Sequence, residues 1–263
     1  YTALIDDAYT EMHCEYDIDT GTLNNYSPVM VGESELNNAW FNARYSYGFS
    51  AGAYQDFQAN STIATDGNGT FYIGWCFGYG SYGVGIIFAT VDFVNWTVFY
   101  DYSDWTISPR YEMPCAYMSG YVYFCIRPDK GQPNSQNNCA FGNYTDIAIV
   151  GKVAVSDGKL KDAVRVYNCD SRPAFFTTNG DIYLFTNPYN RAHGQIIKIN
   201  TSMLSESEII AEFVGGYSYP SFFVDGATVY TLVSDNFMRL SKFTLPNINE
   251  ATVQSALYSA LIT

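Results

Sequence analysis

The chain has 263 residues, with 26 acidic against 13 basic side chains and a net charge of −13. That balance opposes a phosphate backbone, whose affinity for proteins comes from Lys and Arg, so no nucleic-acid partner is expected. Aromatic residues are 17% and charged residues only 15% of the chain; Tyr and Thr are strand formers with a polar handle, and the composition predicts an all-β protein facing water or sugar. No apolar run approaches the roughly 20 residues that cross a bilayer, so no membrane span is expected. The chain opens on Tyr1 without a charged-then-apolar leader, and the expectation is that a leader or a longer N-terminal portion has been removed.

From the N-terminus, "YTALIDDAYTEMHCEYDI" matches "YTLVSDNFMRLSKFTL" from Tyr230, with a small insertion. Residues 1–30 therefore read as a four-stranded unit that begins after its innermost strand. The missing strand lies in removed sequence, or the tail "LYSALIT" from Leu257 completes it, within its own chain or in a neighbour, which would be self-association through a terminal strand. Residues 31–59 fit no strand position. Their Trp40, Phe41, Tyr45, Tyr47 and Phe49 predict an ordered loop over one face.

One pattern then recurs: Pro, an apolar run, a Gly-containing turn, then Tyr within an apolar run, with the copy from Ser61 degenerate. It reads "STIATDGNGTFYI" from Ser61, "PCAYMSGYVYF" from Pro114, "PAFFTTNGDIYLF" from Pro173 and "PSFFVDGATVYTL" from Pro220. Asp66-Gly67, Ser119-Gly120, Asn179-Gly180 and Asp225-Gly226 supply residues that tolerate positive φ, so each copy is a predicted hairpin. Each is followed by two more strand-like runs. Four strands per unit at a pitch of about 50 residues describe a propeller blade. The expected architecture is a single all-β domain over 1–263, a five-bladed β-propeller of four-stranded antiparallel blades. The blades fall near 1–30, 60–100, 113–167, 172–213 and 219–257, the first incomplete at the N-terminus and the loop 31–59 ordered. A second long connection, from Arg127, is polar enough to be an exposed excursion.

The six cysteines lack a CxxC pair or a His at zinc spacing, and neither metal nor cofactor is expected. Cys76, Cys115 and Cys125 sit in apolar strand runs as small hydrophobes, whereas Cys139 and Cys169 lie in loop-like segments and are the expected disulfide partners. Asn-x-Ser/Thr occurs at Asn25, Asn60, Asn68, Asn95, Asn143 and Asn200, which leans toward a secreted or extracellular chain carrying glycans. His13 reads as a strand residue and His193 as a loop residue, both structural. The "DGNG" from Asp66 reads as a hairpin turn rather than a calcium loop, because a later acidic ligand is missing.

In a propeller the innermost strands line a central channel, and the residues leading into them crowd around one mouth. The lead-ins are Gln58 to Asn60, Arg110 to Glu112, Asp170 to Arg172 and Tyr217 to Tyr219. They offer carboxylates, guanidinium groups and aromatics, a default binding-site hypothesis for a glycan or polysaccharide. Glu112 and Asp170 are the candidate catalytic pair; Arg110, Arg172, Tyr111, Asp56, Asn60, Tyr219, Trp40 and Arg44 are candidate substrate contacts. Inverting glycosidases need two carboxyl groups roughly 6.5–9.5 Å apart, one with a raised pKa, and Glu112 with Asp170 or Asp56 could meet that. The same residues also read structurally: Glu112 with Arg110, and Asp170 with Arg172, as ion pairs at strand ends.

These segments resemble the five-bladed glycoside hydrolases of family 43, with their family 32 and sialidase-like relatives. "EMPCAYMSGYVYF" is similar to the family 43 segment in which Glu, one residue, then Pro opens a blade, and the resemblance implies Glu112 as general acid. "TVDFVNW" from Thr90 resembles a shortened Asp-box, the turn shared with sialidases. "SRPAFFTTNGDIYLF" and "YPSFFVDGATVY" look like blades of sialidase-like proteins. The match covers most of residues 55–245, at the level of blades. Its catalytic pattern is incomplete: the position of the pKa-modulating Asp falls near Asn60, and the base would belong to the strand absent from the first blade. Of the sialidase arginine triad, Arg110 and Arg172 can be placed, and Arg44 on the long loop is the candidate for the third. The resemblance thus implies a carbohydrate-recognising, glycoside-hydrolase-like propeller, either active or catalytically degenerate, and the alternative is an extracellular or viral assembly protein that uses the propeller as a building block.

Overall fold

The computed structural model describes residues 2–5, 8–17, 20, 22–30, 63–79, 82–92, 96–101, 113–126, 147–167, 173–186, 193–214, 221–234 and 238–245. They form five antiparallel sheets, in each of which every strand hydrogen-bonds to the next in sequence. The first sheet holds β1 (Thr2–Ile5), β2 (Ala8–Asp17) and β3 (Thr22–Met30). The second holds β4 (Ala64–Thr65), β5 (Phe71–Tyr79), β6 (Tyr82–Thr90) and β7 (Trp96–Asp101). The third holds β8 (Cys115–Met118), β9 (Tyr121–Ile126), β10 (Ile147–Ala154) and β11 (Leu160–Tyr167). The fourth holds β12 (Ala174–Thr178), β13 (Asp181–Thr186), β14 (His193–Ile199) and β15 (Glu208–Val214). The fifth holds β16 (Ser221–Asp225), β17 (Thr228–Ser234) and β18 (Met238–Thr244). Among the described residues the only helical element is a single 3-10 turn at Leu204–Glu206, and none is a helix long and apolar enough to cross a membrane. His193 opens β14 rather than lying in a loop, because the strand register runs on to pair it with Val214.

The hairpins follow from their turn chemistry. Ser119 and Gly120 have φ of 51° and 82°, and Asn179 and Gly180 have 52° and 78°. Two positive φ angles in a two-residue loop make the type I′ turn, whose twist matches that of the flanking strands. In the fifth sheet the loop is shifted by one residue: Asp225 pairs with Thr228 as the last rung, and Gly226 alone of its hairpin is at positive φ, 57°. The second sheet uses a wider turn organised by Asp66. Its Oδ1 accepts from the backbone N–H of Asn68 at 2.8 Å and of Thr70 at 3.0 Å, while its own N–H donates to the Thr70 carbonyl at 3.1 Å. These bonds hold the Asp66 carboxyl below its usual range, the Asn68 N–H contributing most.

The second to fifth sheets pack face to face, and the second strands of the third and fourth are covered on both sides. In β9 every residue from Val122 to Ile126 is buried, and in β13 every residue from Ile182 to Thr186. Alternation divides each strand between two joints. Val122, Phe124 and Ile126 join Ala64, Tyr72 and Ile87 between the second and third sheets. Tyr123 and Cys125 meet Phe175, Ile182 and Leu184 between the third and fourth. Phe176, Tyr183, Phe185 and Ile196 meet Val229 and Leu245 between the fourth and fifth. A strand buried on both faces reads as a continuous apolar run, which is why "YVYFC" and "IYLF" carry no polar alternation.

Two glycines permit close approaches. A Cβ on Gly151 would stand 2.0 Å from Cζ of Phe124, its cross-strand partner, whose ring occupies the space a side chain would take. A Cβ on Gly74 would stand 2.2 Å from the Met113 carbonyl oxygen, so β5 abuts the segment that leads into β8.

Candidate functional site

The first strands of successive sheets touch in sequence order: β4 against β8, β8 against β12, β12 against β16. Their trailing ends lie together. The Thr178 hydroxyl, at the end of β12, donates to the carbonyl of Gly226 just past β16 at 2.5 Å. The ring of Tyr72, the ladder partner of Ala64, stacks on that of Tyr117 near the end of β8, with centroids 6.2 Å apart and planes 2° apart. β12 and β16 therefore share their leading end as well, and β8 lies beside β12.

That leading end is firmly built where it is described. Met113, Pro114 and Pro173 are buried. The Pro114 carbonyl accepts from the Cys125 N–H at 3.2 Å, and the Cys115 thiol reaches the Met113 carbonyl at 3.8 Å. Cys115 and Cys125 are buried and form no disulfide, and burial pushes the Cys115 thiol upward, favouring its neutral form. Glu112 immediately precedes Met113 in sequence but lies outside the described residues, as do Arg110, Tyr111, Asp170, Arg172, Asp56, Asn60, Tyr219, Trp40 and Arg44. Cys139, Cys169, the loop 31–59, the excursion after Arg127 and the tail from Leu257 lie outside them too. Among the described residues no group of His, Cys, Asp and Glu could hold a metal ion.

Of the Asn-x-Ser/Thr asparagines, Asn68 is exposed at the tip of its hairpin. Asn200 is committed to its own turn: Oδ1 accepts from the N–H groups of Ser202 and Met203, both at 3.0 Å, and Nδ2 reaches Glu206 at 3.4 Å. Asn25 lies in β3, and Asn60, Asn95 and Asn143 are outside the described residues. In the run from Thr90, the Asp92 N–H donates to the Thr90 hydroxyl at 3.3 Å, closing a local turn after β6.

The polar structure at the trailing end of the third and fourth sheets has no signal in the chain's local pattern. Lys152 is 8% exposed, and its ammonium donates to the carbonyls of Thr201 at 2.8 Å and Ser202 at 3.1 Å beside the Tyr121 ring. Asp162 accepts from the Leu204 N–H at 2.9 Å. The Tyr123 hydroxyl reaches the Thr201 carbonyl, and burial raises that phenol to about 12. The connection between β14 and β15 is thereby latched across onto the third sheet.

No protein-family model matches the chain, and no curated protein matches it in sequence. It is similar in backbone to several solved structures. Against a GH43B protein of the Bacteroides ovatus xyloglucan PUL, identity is 15% and TM-score 0.46, covering 75% of this chain and 40% of that one. Against an exo-β-1,3-galactanase of Phanerochaete chrysosporium crystallised with β-1,3-galactotriose, identity is 12% and TM-score 0.48, covering 74% of this chain and 49% of that one. Against a GH43 endo-arabinanase of Bacillus licheniformis, identity is 13% and TM-score 0.41, with 70% of each chain covered. The chain thus spans less than half the length of the first two.

Proposed function

We propose that this chain is a five-bladed β-propeller that recognises carbohydrate outside the cell at the leading-end mouth. The observation that carries the reading is the ordered contact of β4, β8, β12 and β16, because the lead-ins with Asn60, Glu112, Arg172 and Tyr219 run directly into those strands in sequence. Carboxylates, guanidinium groups and aromatic rings are the groups that bind sugar hydroxyls and faces. In this reading Glu112 keeps the acid's place. Asn60 stands where a second carboxylate would raise the acid's pKa, so binding outlasts catalysis.

A glycan array and a panel of aryl glycosides test the reading together. The expected outcome is saccharide binding that weakens in Glu112→Gln, with turnover weak or absent. Turnover abolished in Glu112→Gln would assign full hydrolysis instead. A blank array with no turnover on any substrate would remove the carbohydrate assignment.

A further inference from the structure

Two of the Asn-x-Ser/Thr asparagines fall in described turns, and the fold brings both to one end of the molecule. Asn68 lies between β4 and β5, and Asn200 between β14 and β15. Tyr72, just past the first of these turns, stacks on Tyr117, which flanks the Ser119–Gly120 turn of the third sheet. Tyr121 lies on the other limb of that turn, beside the Lys152 ammonium that holds the carbonyl of Thr201, the residue after Asn200. Both turns therefore stand at the trailing end. Their asparagines are used differently. Asn68 is exposed, and its turn is organised by Asp66 through the backbone N–H groups of Asn68 and Thr70, not by the Asn68 side chain. Asn200 does hold its turn, through Oδ1, which accepts from the Ser202 and Met203 N–H groups, while Nδ2 reaches the exposed Glu206.

An N-linked glycan is bulky and belongs on a surface, and its attachment changes one atom of the side chain, Nδ2. That nitrogen bonds to the anomeric carbon of an oligosaccharide carried on a lipid pyrophosphate; the bond from that carbon to the pyrophosphate oxygen breaks, the lipid pyrophosphate leaves, and one amide proton is lost. Oδ1 and the second N–H remain. At Asn68 no bond of the turn uses Nδ2. At Asn200 the two bonds to Oδ1 survive and the remaining N–H still faces Glu206. Neither turn has to open. We propose that Asn68 and Asn200 both carry N-linked glycans, which makes the trailing end a sugar-coated face and leaves the mouth, at the other end, clear of these two. The proposal shares with the reading above only its extracellular setting and is independent of what the mouth binds.

The full chain, directed by an appended leader through the secretory route of a eukaryotic cell that supplies donor and transferase, tests both sites by peptide mass spectrometry. Release of the glycans by peptide N-glycosidase in heavy-oxygen water marks each occupied asparagine as labelled aspartate. The expected result is label at Asn68 and at Asn200 in the parent. Asn68→Gln removes the first label alone. Replacing Asn200 would break its own turn, so the second site is removed by Ser202→Ala, which keeps the Asn200 bonds because they use the Ser202 backbone; Ser202→Thr keeps the label. The proposal is overturned if either asparagine of the folded, secreted parent is recovered only unmodified. It is equally overturned if the glycosylated parent melts below the Asn68→Gln, Ser202→Ala double variant, since the turns would then have been forced open. A blank glycan array would remove the carbohydrate reading of the mouth and leave these two sites standing, so the two failures are told apart.

Discussion

Replacing Gly74 by Ala should displace the lead-in to β8. The added Cβ would stand 2.2 Å from the Met113 carbonyl oxygen, 2.9 Å from Met113 Cγ and 3.0 Å from Cys115 Sγ. An ordinary carbon–oxygen contact is roughly 3.3 Å, so the obstruction amounts to about 1 Å against backbone. That backbone has little freedom: Met113 is fully buried, the next residue is a buried proline, and the Pro114 carbonyl is bonded to the Cys125 N–H. Overpacking of this kind costs about 1–3 kcal/mol, and a rigid obstacle puts the cost near the upper end. In a chain of this size that lowers Tm by roughly 5–10 °C. Calorimetry supplies the stability, and saccharide binding before and after supplies the local effect, because Glu112 adjoins Met113. A Gly74→Ala protein whose Tm stays within about 1 °C of the parent would refute the close approach and the packing of the second sheet on the third.

Two further outcomes are expected. Lys152→Met keeps much of the stem's volume but leaves the carbonyls of Thr201 and Ser202 without their charged donor, so denaturant titration should show a loss of about 2–3 kcal/mol. Asp66→Ala should be less stable than the parent at neutral pH. The Asp66 pKa is depressed in the fold, so its contribution is present above the unfolded carboxylate pKa and fades as pH falls through the folded one; Tm measured against pH should show the two proteins converging in acid.

The hairpins were legible because their cause is local. A Ser-Gly or Asn-Gly pair between apolar runs demands positive φ wherever it sits, and Ser119, Gly120, Asn179 and Gly180 adopt it. The interior placement of Cys115 and Cys125 was legible for the same reason, since each lies within an apolar strand run. At Asp225 the reading slipped by one residue, because either Asp-Gly or Gly-Ala can form the loop and only pairing with Thr228 decides between them. His193 was misread because nothing in its neighbourhood announces a strand; its partner Val214 is supplied by β15. The candidate mouth was legible only as a set of lead-ins, because its side chains act together only if distant segments converge.

Sequence alone determined that this chain makes successive antiparallel hairpins, and where most of them turn, since backbone dihedral preference and strand propensity act over a few residues. Tertiary structure decided which face of each strand enters which joint, that Gly74 yields to Met113, and that Lys152 is spent on the carbonyls of Thr201 and Ser202. Those outcomes depend on contacts between residues tens of positions apart, and no short-range pattern in the chain encodes such contacts.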